Sequence, residues 1–279
     1  MTSSAHMTKT LLARVPYLNC APFVHGLVAD ESWEWIDLPP RQLGLEAEAG
    51  RIAAGPLALV DFLRLQDRFE RLGSLGIAVR GRCHSVLLFS RIPMRQLHNG
   101  TISLTDETST TALLLRLILE QRYAMAPARY ERGEVEGADA RLLIGDEALR
   151  FHASNRRYPY ETDLAFEWWL WQHLPMVFAV WAVRKDHPAA EKQRLSRLLQ
   201  HQLAVNLARL DVVARERAGA LGLPVDVLTP YLANFVYRLS EPEERAIKQF
   251  ERLLHEHHLL HESITKSPMT KFQVPNKLQ

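Results

Sequence analysis

Short apolar runs alternate with amphipathic stretches along most of this chain, and that alternation restricts it to the α/β class. Residues 11–18 read as a strand entering a loop at Asn19-Cys20-Ala21-Pro22, where Pro22 is placed to open a helix. Residues 33–38 alternate as a strand, Pro39-Pro40 ends it, and residues 41–54 carry apolar positions at helical spacing. A buried strand is predicted at 57–60, a helix at 62–69, and two strands at 77–79 and 85–90 around a Gly81-Arg82 turn. The pattern then restarts near residue 95. A strand at Thr101–Leu104 leads through a polar loop to an apolar helix over 112–123. A strand at Ala140–Ile144 stops at Gly145-Asp146 before a short helix at 147–151, and another strand follows at 177–183. Residues 187–261 are mostly helical, and Ser240-Glu241-Pro242-Glu243 is a capping-box helix start. The sheets are expected to be largely parallel. The restart implies two lobes, with the cleft between them as the default ligand site.

Composition removes several function classes. The 279 residues are 47% hydrophobic and 24% charged, an ordinary globular balance that needs no disulfide or metal for a stable core. The net charge of +2 is scattered, so no nucleic-acid face is expected. No apolar run approaches the roughly 20 residues of a membrane span, and the amino terminus lacks the apolar core of a signal peptide. Two cysteines, Cys20 and Cys83, fit reduced thiols in a cytoplasmic protein. Met7 is a plausible natural start, with residues 1–6 an appended segment. The run containing Trp168, Trp169, Trp171 and Trp181 marks either a domain core or the wall of a ligand site between domains. His255, His257, His258 and His261 read as a solvated helix end, with no metal site expected.

Several segments in one order carry a resemblance. They are Val15-Pro16-Tyr17-Leu18-Asn19-Cys20-Ala21-Pro22, His84-Ser85-Val86-Leu87-Leu88-Phe89-Ser90, and Thr108-Ser109-Thr110-Thr111 ahead of an apolar helix. Leu143-Ile144-Gly145-Asp146-Glu147, Asp163-Leu164-Ala165-Phe166-Glu167-Trp168, Leu174-Pro175-Met176-Val177-Phe178 and Tyr237-Arg238-Leu239-Ser240 continue the series. Together they resemble the chorismate dehydratase family of the futalosine route to menaquinone, over about residues 11–260. The resemblance implies a two-lobed clamshell of the type II periplasmic-binding-protein kind. Lobe 1 would be discontinuous, residues 1–92 with 178–279, and lobe 2 would be residues 93–177. It also implies loss of water from chorismate to give 3-[(1-carboxyvinyl)oxy]benzoate, with the substrate's own enolpyruvyl carboxylate as base and no cofactor. The expected partner is this small carboxylate alone; a monomer and a dimer are both compatible with the sequence.

The motif match marks Asn19 and Ser85 as the catalytic candidates; the expected substrate-binding set is Tyr17 and Gly145, Thr108, Ser109, Thr110 and Thr111 with the N–H groups of the helix they front, and Arg14, whose guanidinium could pair with a carboxylate bidentately. Each has a plainer reading. Asn19 suits an Asx turn. Ser85 suits a hydroxyl bonded to backbone, and no base beside it supports a serine hydrolase. Thr108–Thr111 suit the cap of a core helix, a role compatible with binding a carboxylate at the same end. Arg14 and Arg82 suit surface positions. Asp146 and Asp163, which would repel a dianion, are expected to cap helices or brace loops. The stretch 55–61, Gly55 to Asp61, replaces an expected serine-rich loop and puts the substrate in question. A sister activity on a dehypoxanthine-futalosine-like substrate would need a histidine base, His25 or His84. A non-catalytic binding protein of the same fold is the third reading.

Overall fold

The computed structural model describes residues 9–28, 30 and 32–261; the expectation about residues 1–6 lies outside them. In chain order, the first lobe begins with β1 (Thr10–Arg14), a 3-10 turn at Leu18–Cys20 and α1 (Ala21–Val24). It continues through β2 (Trp33–Asp37), α2 (Pro40–Glu48), β3 (Ala54–Ala58), α3 (Leu59–Arg64) and β4 (Phe69–Val79). The second lobe holds β5 (Val86–Ser90), β6 (Thr101–Leu104), α4 (Thr110–Arg116, running on into a π-helical turn at Leu117–Arg122) and β7 (Arg129–Arg132). It ends with β8 (Ala140–Ile144), α5 (Gly145–Ser154), β9 (Tyr160–Asp163) and α6 (Leu164–Gln172). The chain then returns as β10 (Met176–Arg184), α7 (Ala189–Leu207), α8 (Leu210–Leu221), α9 (Val225–Ala233), β11 (Phe235–Arg238) and α10 (Glu241–Glu256).

A six-stranded sheet of order β11-β4-β10-β3-β1-β2 and a five-stranded sheet of order β7-β6-β8-β5-β9 form the two lobes. Both are mixed, which corrects the expectation of largely parallel sheets. β1 pairs parallel with β2 and β3, but β10 runs antiparallel to both β3 and β4. β5 likewise runs antiparallel to β8 and β9. β5 and β10, each reversed against both of its neighbours, are the strands at which the chain enters the other sheet; the edge strand β11 is also antiparallel to β4.

That passage also corrects the Gly81-Arg82 hairpin. β4 and β5 belong to different sheets, so residues 80–85 form the first crossover, and the second lies between α6 and β10. The sheet change therefore comes before Val86, earlier than the expected division after residue 92. Three strands without a sequence signal, β7, β9 and β11, are all sheet edges. Edge strands are short and can be polar, so they lack the apolar run that marks a central strand.

The tryptophan-rich run is core rather than ligand wall. Trp168 is wholly buried, stands edge-on to Trp171 and Phe250, and donates from Nε1 to the Pro175 carbonyl at 3.0 Å. This ties α6 to the start of β10 across the second crossover. Trp181, on β10, packs edge-on against Phe23 and Trp35 of the first lobe.

The capping box at α10 forms as read. The Ser240 N–H and hydroxyl both donate to the Glu243 carboxylate, at 2.9 and 2.7 Å. Glu243 is fully buried and also accepts from Arg80 at 3.0 Å, so one acid fastens α10 to the first crossover. Ser240→Ala should cost about 1 kcal/mol, the usual value of a cap. Glu243→Ala should cost about 3 kcal/mol, because it removes the acceptor of three donors, the Ser240 N–H and hydroxyl and Arg80. Urea unfolding of the two variants checks the ratio; equal losses would mean that the Arg80 link contributes nothing.

Candidate active site

A cavity that opens to solvent lies between the lobes. From the first sheet it takes the loop after β1 (Val15, Tyr17, Asn19, Cys20) and the β3 residues Pro56 and Ala58. From the second it takes Ser85, the 108–111 loop and Gly145. Its walls are otherwise apolar, with Ile77, Val86, Ile144, Phe178 and Ala179. Of the nine residues singled out in the sequence, Tyr17, Asn19, Ser85, Thr108, Ser109, Thr110, Thr111 and Gly145 line it. Arg14 does not. Its position at the end of β1 sits opposite Asp37 in the β1–β2 register, and its Nε donates to Asp37 Oδ1 at 2.6 Å. Arg82 also points elsewhere, its guanidinium 4.1 Å over the Phe166 ring.

The loop carrying Asn19 is placed by Asp146. Its Oδ1 accepts the Leu18 N–H at 2.8 Å, and its Oδ2 accepts from Arg217 of α8 at 2.9 Å. Tyr17 lies flat over Gly145. A Cβ there would come within 2.6 Å of the tyrosine ring, and Gly145 has φ +57°, so glycine serves both the close approach and the left-handed turn into α5. The Tyr17 hydroxyl donates to Glu107 across the lobes, and burial followed by this carboxylate holds its pKa far above the usual phenol value. The Cys20 thiol donates to Asn19 Oδ1 at 3.5 Å, which leaves the Asn19 amide N–H₂ for the cavity. Burial raises the Cys20 pKa well above the thiol range.

Ser85 is fully buried and accepts a hydrogen bond from Tyr231 at 2.8 Å, so its own proton is available for another acceptor. The Cys83 sulfur lies 3.4 Å from its oxygen, and burial pushes the Cys83 thiol up to about 12. Tyr231 had no sequence signal, because α9 reaches Ser85 only through the fold. Asp163 holds this strand end, accepting the Cys83 and His84 N–H groups at 2.8 Å each while capping α6 through Phe166. Both aspartates thus brace loops with their charges satisfied. Thr110 Oγ1 accepts the Val60 N–H at 3.1 Å, joining the lobes on the far side.

Neither candidate histidine lines the cavity. His25 pairs with Glu216 at 2.7 Å, and His84 sits in the first crossover with φ +64°. Among the described residues, no group of three His, Cys, Asp or Glu side chains could hold a metal ion, and no helix is long and apolar enough to cross a membrane.

The unexpected 55–61 segment is strand β3 running into α3, not a loop. Pro56 and Ala58 face the cavity, but Asp61 opens into a neighbouring, larger cleft. That cleft is lined mostly by charged residues, whereas the smaller cavity gathers eight of the residues marked in the sequence; the site is therefore assigned to the smaller one.

A sequence profile of a family described as "menaquinone biosynthesis" matches residues 10–256. The chain belongs to that family. It is 32% identical over 257 residues to the chorismate dehydratase of Thermus thermophilus, covering 85% of this chain and 92% of that one. The fold recurs in a structural-genomics protein of Archaeoglobus fulgidus, with TM-score 0.74 and 19% identity over 91% of this chain and 99% of that one. It recurs again in the alkanesulfonate-binding protein of Xanthomonas axonopodis pv. citri, with TM-score 0.66 and 15% identity over 91% of this chain and 94% of that one. The likeness of both to this chain is one of fold: α/β clamshells of the periplasmic-binding-protein kind.

Asp61 provides a pH test of the site's surroundings. Burial raises its pKa from 3.8 to about 6, against the opposing pull of Ser109, Arg64 and Arg41. The folded state therefore binds this proton more tightly than the unfolded chain. The stabilisation is full below about pH 4 and is lost as pH rises through about 6, amounting to about 3 kcal/mol. Asp61→Asn removes the ionisation, so the variant should gain on the parent by about 2–3 kcal/mol between pH 4 and pH 7. Denaturant unfolding across that range checks it; parallel pH profiles would refute the buried, raised carboxyl.

Proposed function

We propose that the chain is a chorismate dehydratase, converting chorismate to 3-[(1-carboxyvinyl)oxy]benzoate and water. The observation that carries this reading is the make-up of the cavity: the matched loops converge there, and among the described residues none that lines it is an acid, a histidine or a lysine. Its ionisable lining groups, the Tyr17 phenol and the Cys20 thiol, are held protonated at neutral pH by their raised pKa values. A substrate that brings its own base suits such a site. The enolpyruvyl carboxylate takes the ring proton, the C–O bond to the ring hydroxyl breaks, and the carboxyl passes that proton to the departing hydroxyl, which leaves as water while the ring becomes aromatic.

The protein's part is orientation and hydrogen bonding. The Asn19 amide and the Ser85 hydroxyl are the donors for the leaving oxygen or a carboxylate. Thr108–Thr111, with the backbone N–H groups opening α4, receive the other carboxylate. Tyr231 keeps Ser85 oriented as a donor. The apolar walls fit the ring and exclude water. A histidine-dependent sister activity is disfavoured by the positions of His25 and His84.

Incubation with chorismate, followed by ultraviolet spectra and by mass spectrometry for loss of one water, tests the activity. Asn19→Ala and Ser85→Ala should each lower kcat by roughly 10²-fold while unfolding remains cooperative. Tyr231→Phe should lower it by about tenfold, since Ser85 keeps its hydroxyl but loses its orienting partner. His84→Ala should be nearly neutral. Unchanged rates in both alanine variants would remove Asn19 and Ser85 from the site, and a rate that collapses in His84→Ala would favour the sister activity.

A further inference from the structure

Beside the cavity, and sharing Ser109 as a wall, lies a cleft with about 1260 Å³ of open space. Arg41, Arg64, Arg68 and Arg132 line it, together with Asp61 and Glu48. Several of the guanidinium contacts go to neutral carbonyls. Arg68 donates to the Glu48 carbonyl at 2.7 Å, and Arg64 Nε to the Leu260 carbonyl at 2.5 Å. Arg132 donates to the Thr105 and Thr108 carbonyls at 3.3 and 3.1 Å. Arg41 hydrogen-bonds no carboxylate among the described residues. A carbonyl orients a guanidinium without cancelling its charge.

The negative groups are poorly placed to cancel it. Glu48 and Asp67 are exposed, as is Arg68, so water and salt screen all three, whereas Arg41, Arg64 and Arg132 are half-buried. Asp61 is the one buried acid; its Oδ1 is 3.6 Å from Arg64, and its Oδ2 has no hydrogen-bond partner. Its raised pKa reduces its charge further near pH 6. Arg132, half-buried, has its pKa lowered by burial and then by the nearby Arg41 charge, a sign of crowded like charges.

We propose that this cleft is a second anion site, separate from the cavity, that captures small carboxylates and concentrates them at the Ser109 wall. Anion capture stands on the arginines alone; delivery of substrate to the cavity rests on the dehydratase reading. Such a positive cleft raises the encounter rate of an anion without touching the reacting atoms.

Calorimetric titration of the full chain with inorganic sulfate at low ionic strength tests capture independently of turnover. The wild type should bind sulfate, Arg41→Gln should bind it about three- to tenfold more weakly, and Asn19→Ala should match the wild type. No binding by the wild type, or equal binding by Arg41→Gln, would overturn the site. Loss in Asn19→Ala as well would place the sulfate in the cavity and overturn its separateness. Delivery is read from chorismate kinetics: Arg41→Gln should keep kcat, lose about three- to tenfold in kcat/KM, and show a flatter salt dependence. An unchanged kcat/KM and salt slope would overturn delivery. Sulfate bound by the arginines in a protein that leaves chorismate intact would sink the dehydratase reading, and delivery with it, while leaving the anion site standing.

Discussion

The Asp146 carboxylate ties the two lobes together at the cavity. It is 6% exposed, and its two oxygens take one donor from the loop after β1 and one from α8, both in the first lobe. A buried charge is stable only with such partners, so the loop and the helix are both held to α5. The position of the Leu18 N–H then fixes its neighbours. Tyr17 lies over Gly145 on one side, and Asn19 faces the cavity on the other. Asp163 performs the corresponding task for Ser85, binding two backbone N–H groups of the first crossover. Two acids that would repel an anionic ligand are thereby spent on architecture, each with its carboxylate oxygens taken by donors of the protein.

The parts of the fold legible in the sequence are those whose cause is local. Pro22 opens α1, Ser240 and Glu243 close the start of α10, and the apolar run Ala140–Ile144 is a central strand. The loops that line the cavity follow strands, so Asn19, the 108–111 loop and Gly145 could be marked without coordinates. What the sequence conceals is pairing over distance. Gly81-Arg82 has the composition of a hairpin turn, yet β4 and β5 find partners in different sheets. Arg14 looks available to a carboxylate ligand, but its partner is set by the β1–β2 register. Tyr231 meets Ser85 across 146 positions of chain, and nothing near either residue announces the contact.

Keeping the arginines outside the cavity has a chemical consequence for the proposed reaction. The base there is the substrate's own carboxylate. An arginine bound to it would stabilise its anionic form and lower its pKa by about 1–3 units, and so weaken it as a base. Neutral donors orient a carboxylate at a smaller cost in basicity, and apolar walls that remove water raise its proton affinity. The attraction needed to collect a dianion from solution and the basicity needed to deprotonate a ring therefore conflict if they share one site. In this chain the guanidiniums lie on one side of Ser109, while the amide, the hydroxyls and the apolar walls lie on the other. Asp61 stands on the arginine side, 3.6 Å from Arg64, and reaches the cavity only through its hydrogen bond with Ser109, the wall the two spaces share.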